Sequence, residues 1–307
     1  MIYTVTLNPA IDLFINTNTL YKDVVNRTTS YDIQPNGKGV NVSFVLNKLG
    51  VPTTALGIGA GFTLKYIEDE LTKRNIENKF IETNGITRIN VFTNVVSNGA
   101  EYKLVNPGPI VNQDPQIKFL KLLESVNEKD IVCISGSFSK GISENFLEDI
   151  AKTVTRRNAE LIVDTSYHSV LNILKYHPLL IKPNDEELKS WFDIGKEITR
   201  DELINLAQEL VFRGAKNVLL SLGSQGAVFI SKDKIYYGNA PKIVPLNTAG
   251  AGDTLLATFI AGMVEKKPIL SNLKYSIAAG SDTATQEWLT DFKNLENLEK
   301  QIEILRS

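Results

Sequence analysis

Residues 247–262 carry the sequence NTAGAGDTLLATFIAG, in which two glycines precede an apolar run of helical type. The backbone N–H groups at the start of a helix bind anions, and glycine lets that backbone approach a phosphate closely. Asp253 lies in the first turn of the predicted helix. A carboxylate beside a phosphate is unfavourable unless it accepts a proton from an attacking hydroxyl. The segment therefore places phosphoryl transfer first among the possible chemistries, with Asp253 as the base.

A second glycine-rich segment, PNGKGVN at 35–41, precedes an amphipathic helical pattern that Gly50 ends. Lys38 stands between two glycines and suits an anion or a sugar hydroxyl. Asn41, in the first turn, can donate and accept hydrogen bonds toward a polyol. The spacing is not that of a Walker A loop, and a simple turn at the start of a helix is the alternative interpretation.

The segment KPNDEEL at 182–188 begins another predicted helix and has two interpretations. Asn184 can cap the helix, and Glu187 three residues later can complete a capping box. Alternatively, Glu187 holds Mg²⁺ through water, because Mg²⁺ keeps much of its hydration shell, while Lys182 and Asn184 contact nucleotide phosphates. The spacing alone leaves both interpretations open.

Three isolated residues are further candidates for substrate contacts. Asp12 follows the first predicted strand and can bind vicinal hydroxyls or satisfy the amides of a turn. Arg27 and Arg88 can clamp a substrate phosphate, because the guanidinium fork fits phosphate with two hydrogen bonds. Each arginine, taken alone, is more often a surface cation.

Short apolar runs alternate with amphipathic segments along the chain, which indicates an α/β fold with a mostly parallel sheet. The runs span residues 131–134, 161–163, 179–181 and 218–220. Polar residues follow each run, among them Ser137, Asp164, Lys182 and Ser221. Ligands bind beyond the carboxyl ends of the strands in such sheets. We therefore expect these polar residues to share one edge, although turning the chain would also explain them.

A smaller sheet is predicted outside the main one. Residues 88–95 and 101–105 alternate between polar and apolar around a turn at 97–99, which predicts a hairpin with one solvent-facing side. Residues 13–15 and 28–33 can extend it. Such a sheet could cover a site or pair with another subunit.

The 307 residues are 43% hydrophobic and carry a formal net charge of −2. No global positive field is present to attract nucleic acid or an anionic membrane, so we expect neither as a partner. The single cysteine, Cys133, lies in an apolar run and predicts a buried thiol in a reducing compartment. The first residues lack a basic leader, and no apolar run approaches the ~20 residues of a membrane helix. These features predict a cytoplasmic protein.

Three segments together resemble the signatures of the ribokinase/phosphofructokinase-B family of sugar kinases: residues 36–41, residues 248–253 and the pair Asn184 and Glu187. The resemblance covers nearly the whole chain. The opening TLNPAID at 6–12 narrows it to the branch that holds 1-phosphofructokinase and tagatose-6-phosphate kinase. Segments at 60–63 and 87–90 are more similar to the former.

The resemblance implies a single domain over residues 1–307, a ribokinase-like three-layer α/β/α sandwich with a mostly parallel central sheet. It also implies a small β-sheet lid from about 12–34 and 87–106, through which such kinases often form homodimers. The implied reaction is phosphorylation of a ketohexose phosphate with ATP and Mg²⁺, favouring fructose 1-phosphate converted to fructose 1,6-bisphosphate. Tagatose 6-phosphate or fructose 6-phosphate are the alternative acceptors. A non-catalytic sugar-phosphate or nucleotide sensor on the same fold is a rival, whereas the absence of a Rossmann fingerprint disfavours an oxidoreductase.

The resemblance also implies roles for individual residues. Asp253 would be the base, and the amides of Gly250, Ala251 and Gly252 would form the anion hole. Sugar hydroxyls would be held by Asp12, Gly37 and Asn41, and the substrate phosphate by Lys38, Arg88, Ser137 and Arg27. The ATP site would be lined by Lys182, Asn184, Ser221, Gly223, Gly226 and Thr248. Glu187 would hold Mg²⁺ through water.

The sequence departs from the family pattern at four places. Asn36 stands where the family usually has glycine, although asparagine tolerates a positive φ. Asn247 stands where an aspartate is usual, near a site at which relatives bind a monovalent cation, so dependence on K⁺ stays open. Residues 137–141 replace a Leu-Pro loop, and Leu64 occupies a common glycine position.

Overall fold

The structure is a computed structural model that describes residues 1–306. Its strands are β1 (Ile2–Thr6), β2 (Ala10–Thr17), β3 (Ser30–Asn36), β4 (Thr53–Gly59), β5 (Glu77–Glu82), β6 (Arg88–Val95), β7 (Ala100–Leu104), β8 (Ile131–Ser135), β9 (Glu160–Asp164), β10 (Leu180–Ile181), β11 (Asn217–Ser221), β12 (Ala227–Ser231), β13 (Ile235–Gly238) and β14 (Ile304–Arg306). Its α-helices are α1 (Lys38–Lys48), α2 (Gly61–Lys73), α3 (Gln113–Leu123), α4 (Phe146–Arg156), α5 (Asp185–Trp191), α6 (Arg200–Phe212), α7 (Ala251–Val264), α8 (Ile269–Ala284) and α9 (Leu295–Glu299). Two 3₁₀ segments, His168–Tyr176 and Gly223–Gln225, complete the regular structure.

Ten strands form the large sheet, in the order β14-β13-β12-β11-β10-β9-β8-β1-β4-β5. All neighbours from β5 to β11 pair in parallel, and only the edge from β11 to β14 is antiparallel. Its central strands are apolar on both faces, and Val132, Cys133 and Ile134 of β8 are completely buried. A sheet covered on both sides needs this composition.

Helices cover the sheet on both faces. One core joins it to α3, α4, α5 and α6, and the other joins it to α1, α2, α7, α8 and α9. In α4, the residues that carry the helical spacing, Phe146, Ile150, Ala151 and Val154, are the ones that face the core. The predicted three-layer α/β/α sandwich with a mostly parallel sheet is confirmed.

The second sheet has four strands in the order β3-β2-β6-β7. Strand β2 pairs in parallel with β6 and antiparallel with β3, and β7 returns antiparallel to β6 as the hairpin pattern predicts. Only residues 7–9 separate β1 from β2, and Gly37 alone separates β3 from α1. These short connections hold the small sheet at the carboxyl edge of the large one. Within residues 1–306, no helix combines the length and apolar character that crossing a bilayer requires.

Candidate active site

The carboxyl ends of β8, β9, β10 and β11 meet at one edge of the large sheet, as the sequence predicts. Two cavities open there. The smaller, of about 270 Å³, is lined by Thr6, Asn8, Lys38, Arg88, Ser135, Gly136, Ser137, Ser166 and Glu187. The larger, of about 790 Å³, includes Asn184, Ser221, Gly223, Gly226, Thr248, Ala251 and Gly252 in its lining. This edge of the sheet therefore carries two cavities, a small one lined mostly by polar residues and a larger one.

Asp253 lies in the first turn of α7, next to Gly252, which lines the larger cavity, and within electrostatic reach of Lys38, which lines the smaller one. Gly250 precedes the helix with a φ of 78°, a left-handed conformation that glycine adopts without strain. Asp253 is 6% exposed and accepts a 2.8 Å hydrogen bond from Asn41 Nδ2. Burial raises the pKa of this carboxyl to about 6, against the opposing charge of Lys38. A buried carboxylate that titrates near neutral pH suits a general base.

The start of α7 presents backbone donors beside Lys182. The first N–H groups of a helix have no acceptor within the helix. Of those at the start of α7, Ala251 N–H makes a 3.3 Å hydrogen bond to Thr248 O in the preceding loop. A methyl group added to Gly252 would lie 3.6 Å from Lys182 Nζ, so the ammonium group stands next to this turn. The amides and the lysine together form a positive end for an anion at the wall of the larger cavity.

Asp164 holds two lysines at the end of β9. Its Oδ1 is 3.1 Å from Lys38 Nζ and 3.1 Å from Lys182 Nζ, and the side chain is completely buried. Burial alone would raise the pKa of Asp164, but the two ammonium groups outweigh it and hold the pKa below its usual range. Asp164 therefore brings two ammonium groups together at the end of β9.

Lys38 is strongly held in its charged form. Burial acts to lower the pKa of its ammonium group, but the carboxylates of Asp164, Asp253 and Glu187 outweigh it and raise the pKa above its usual value. Lys38 also lines the smaller cavity. It can therefore present a permanent cation to an anionic ligand there.

Asp12 is held by two amides at the base of the small sheet. Asn90 Nδ2 donates to Asp12 Oδ1 at 2.8 Å, and Asn36 Nδ2 donates to Asp12 Oδ2. Burial nevertheless raises the pKa of Asp12. Gly37 follows with a φ of 130°, and a methyl group there would come within 2.7 Å of Thr6 Cγ2, so only glycine fits.

The two predicted arginines differ in position. Arg88 lines the smaller cavity with Ser137, and its Nη2 donates to Asn8 O at 3.1 Å. Burial lowers the pKa of Arg88, opposed by Asp12. Arg27 is exposed, lies beyond the far end of β2 and lines neither cavity. The structure does not bring Arg27 to the site, because an eight-residue strand at ~3.3 Å per residue carries the chain away from it.

Residues 221–226 shape the larger cavity. Ser221 Oγ donates to Pro183 O at 3.2 Å, and Gly226 has a φ of 101°. A methyl group at Gly226 would come within 2.0 Å of Gly238 O, so the backbones pass too closely for a side chain. The opposite wall carries apolar residues that sequence reasoning missed, including Pro241, Ile243, Leu255 and Ile277. A polar loop facing an apolar wall suits a phosphate chain joined to an aromatic base.

Asn184 and Glu187 form the capping box. Asn184 Oδ1 accepts from Glu187 N at 2.7 Å, and Glu187 Oε2 accepts from Asn184 N at 2.9 Å. The capping interpretation is confirmed. The cap engages one carboxylate oxygen of Glu187, and the residue also lines the smaller cavity, so both interpretations of the sequence are compatible.

Sequence reasoning missed three polar residues of the site. Asp164 was visible at the end of a strand, but nothing in the sequence showed that it joins Lys38 to Lys182. Asn36 was noted only as a departure from the family pattern. Asn90 carried no signal of its own, since the register of β2 against β6 alone brings it opposite Asp12.

The sequence pattern of pfkB family carbohydrate kinases matches residues 5–292. A D-tagatose-1-phosphate kinase of Bacillus licheniformis is 39% identical over 304 residues, which cover 99% of each chain. A 1-phosphofructokinase of Bacillus subtilis is 34% identical over 308 residues and the full length of both. The crystal structure of phosphofructokinase-2 from Escherichia coli in complex with potassium has a TM-score of 0.90 at 27% identity, covering 97% of this chain and 98% of that one. These matches confirm the resemblance seen in the motifs, and the chain belongs to the pfkB family of carbohydrate kinases.

Proposed function

We propose that the protein transfers the γ-phosphoryl group of ATP to the C6 hydroxyl of a ketohexose 1-phosphate. Fructose 1-phosphate, giving fructose 1,6-bisphosphate, and its C4 epimer tagatose 1-phosphate are the two acceptors. The observation that carries this proposal is Asp253, a buried carboxyl whose pKa is raised to about 6, which follows Gly252 of the nucleotide-sized cavity and is within electrostatic reach of Lys38 of the smaller one. The two relatives named above act on 1-phosphates, which favours these acceptors over tagatose 6-phosphate or fructose 6-phosphate.

In this mechanism, the Asp253 carboxylate accepts the proton of the sugar's primary hydroxyl as its oxygen attacks the γ-phosphorus. A new P–O bond forms in line with the bond that breaks, and ADP leaves. The backbone N–H groups of Gly250, Ala251 and Gly252 would stabilise the negative charge on the phosphoryl group during transfer, and Lys182 would assist them. Because these donors are already oriented by the helix, little reorganisation accompanies the reaction.

The remaining contacts divide between the two cavities. In the smaller one, Lys38, Arg88 and Ser137 would bind the phosphate that the acceptor already carries. Asp12, Gly37 and Asn41 do not line this cavity, but they are joined to Asp253 and to Asn90 by hydrogen bonds, and we assign the sugar hydroxyls to them. In the larger one, the nucleotide would contact Asn184, Ser221, Gly223, Gly226 and Thr248. We leave Arg27 out of this assignment, since it is remote from both.

The residues present fit a hydrated Mg²⁺ ion. Among residues 1–306, no group of three or more histidine, cysteine, aspartate or glutamate side chains could enclose a metal ion. Asp164 Oδ2 is, however, buried without a hydrogen-bond partner, and Glu187 reaches the same region. Mg²⁺ often binds through one or two carboxylates, waters and the substrate's phosphates. When bound, it would neutralise phosphate charge, held by Glu187 through water and by Asp164.

The small sheet supports a homodimer. Its strands expose large apolar side chains on alternate positions, Tyr31 and Ile33 on β3 and Tyr102 and Leu104 on β7. An apolar patch of this kind on a sheet is typical of a protein interface. We propose pairing of two lids, and a Tyr31→Asp variant should sediment as a monomer if this surface carries it.

The single cysteine is consistent with a cytoplasmic kinase. Cys133 is completely buried in β8, and burial raises the pKa of its thiol to about 12. A thiol in this state neither reacts readily nor pairs, so it is compatible with a reducing compartment.

ADP release measured with a coupled assay tests the proposal. Fructose 1-phosphate, tagatose 1-phosphate, fructose 6-phosphate, tagatose 6-phosphate and unphosphorylated fructose would be compared with Mg²⁺ and ATP. We expect turnover on the two 1-phosphates to exceed that on the others. Asp253→Asn should lower kcat by about 10³-fold with little change in KM, because it removes the base. Absence of turnover with every acceptor would favour a non-catalytic sensor instead.

A further inference from the structure

Asn36 connects the two carboxylates of the sugar site. Its Nδ2 donates to Asp12 Oδ2, and its Oδ1 accepts from Asn41 Nδ2 at 2.9 Å. Asn41 in turn donates to Asp253 at 2.8 Å. The side chains of Asp12, Asn36, Asn41 and Asp253 therefore form one continuous chain of hydrogen bonds along the site.

The orientation of the Asn36 amide is fixed. Its Oδ1 also accepts from Gly37 N–H at 2.5 Å, and only the oxygen of an amide can accept from an N–H group. The NH₂ group must then point toward Asp12. This group has two hydrogens, and Asp12 takes one of them. Within residues 1–306, Asp12 is the one acceptor in contact with this group, and Asn36 is half-buried, so the second hydrogen can serve a ligand.

The chemistry of the acceptor identifies the hydroxyl nearest this amide. The reacting oxygen on C6 must reach Asp253, and the ring hydroxyl closest to C6 in a ketohexofuranose is the one on C4. Fructose and tagatose differ only there. In tagatofuranose, the C4 hydroxyl lies on the same ring face as C6, whereas in fructofuranose it lies on the opposite face. Asn36 and Asp253 both contact the same Asn41 Nδ2, so the Asn36 amide lies close to the carboxyl that the C6 hydroxyl must reach.

We propose that Asn36 is a specificity-determining residue that binds the C4 hydroxyl and favours tagatose 1-phosphate over fructose 1-phosphate. This inference rests on the proposed phosphorylation of ketohexose 1-phosphates. The amide offers a donor to the C4 hydroxyl of tagatose, and the hydroxyl of fructose points away from it. Glycine, usual at this position in the family, offers no such group.

The test compares kcat/KM for the two 1-phosphates in the wild-type enzyme and in Asn36→Gly. We expect the ratio of tagatose to fructose efficiency to fall about tenfold in the variant, the worth of one discriminating hydrogen bond. KM for ATP should not change. Asn36→Ala, measured in parallel, must move the ratio in the same direction, and exposed Asn297→Ala in α9 serves as the matched control.

Three outcomes would overturn the inference. If both efficiencies fall in parallel, Asn36 only supports the site. If the ratio of tagatose to fructose efficiency rises, the Asn36 amide favours fructose 1-phosphate instead. If the wild-type enzyme phosphorylates neither 1-phosphate, the proposed function itself fails, which the wild-type measurement alone reveals. Thermal shifts with each 1-phosphate in the absence of ATP provide a second readout that does not depend on turnover.

Discussion

Asn41 Nδ2 lies 2.8 Å from Asp253 Oδ2, a hydrogen bond that joins residues 212 positions apart. It ties the first turn of α1 to the first turn of α7, which places the two glycine-rich segments of the sequence against each other. Opposing influences act on Asp253: burial and the charge of Asp164 raise its pKa, while Lys38 and, to a smaller extent, Asn41 lower it. The bond thus contributes to the pH range in which the base is available, because it favours the ionised carboxylate.

The first prediction concerns Asn41→Ala and the pH profile. The ionised form of Asp253 is the active base, so wild-type activity should fall as the pH drops through about 6. Removing a donor that stabilises the carboxylate raises its pKa, so the acid limb should move upward by about one pH unit. The measurement is kcat against pH at saturating substrates.

The control for this experiment lies in the same helix. Asn47, at the far end of α1, bonds to Arg74 O, and Asn47→Ala should leave the limb in place. Titration of the substrate phosphates affects all variants equally. If the acid limb of the Asn41→Ala profile stays at the wild-type pH, a group other than Asp253 determines its position.

The second prediction concerns Asp164→Asn. The variant removes the carboxylate that both Lys38 and Lys182 contact, and it takes the ion-pair partner from the buried ammonium group of Lys182. Removing one partner from a buried ion pair is strongly destabilising, so we expect the free energy of unfolding in urea to fall by about 3 kcal/mol. Asp114→Asn, which breaks an exposed pair with Lys118, should cost under ~0.5 kcal/mol. Equal losses in the two variants would show that Asp164 does not bind the lysines as described.

The sequence predicted what depends on local pattern. Apolar runs marked the central strands, helical spacing marked the buried face of α4, and glycines followed by Asp253 marked the start of α7. The antiparallel edge of the large sheet was not predicted. Nothing in the sequence of β12–β14 shows whether these strands pair antiparallel or parallel to their neighbours.

The site was predictable only where a motif named the residue. Asp164 and Lys38 are 126 positions apart, and their contact depends on how strands and helices pack rather than on any spacing in the chain. The same holds for Asn90 and Asp12, 78 positions apart. Arg27 lines neither cavity of its own chain. A side chain suited to phosphate carries no information about which end of a strand it follows.

The third prediction concerns the backbone of the nucleotide cavity. In Gly226→Ala, a methyl group would meet Gly238 O at 2.0 Å in a backbone with a φ of 101°, so β12 and β13 must separate or the loop must shift. We expect a loss of about 3 kcal/mol of unfolding free energy and a several-fold higher KM for ATP. Gly50→Ala is the matched control, because its φ is 73° but no atom lies within 4 Å. It should cost only about 1 kcal/mol and leave KM for ATP unchanged, and similar losses in both variants would contradict the clash.

The fourth prediction concerns monovalent cations. Asn247 Nδ2 donates to Glu287 O at 3.2 Å, and its Oδ1 accepts from Ala249 N at 3.0 Å. The amide thereby links the loop before α7 to the turn after α8 through its own donor and acceptor. A carboxylate at 247 cannot donate, so it and the Glu287 carbonyl would face each other as two acceptors and attract a cation between them.

We therefore expect wild-type kcat to change less than twofold when K⁺ replaces tetramethylammonium at constant ionic strength. Asn247→Asp should lose most of its activity in tetramethylammonium and regain it in K⁺, because the ion restores the link that positions Gly250 and Gly252. Exposed Asn297→Asp, which adds the same charge elsewhere, should respond like the wild-type enzyme. Strong stimulation of the wild-type enzyme by K⁺ would mean that the amide does not replace the ion, and that the loop binds a cation despite Asn247.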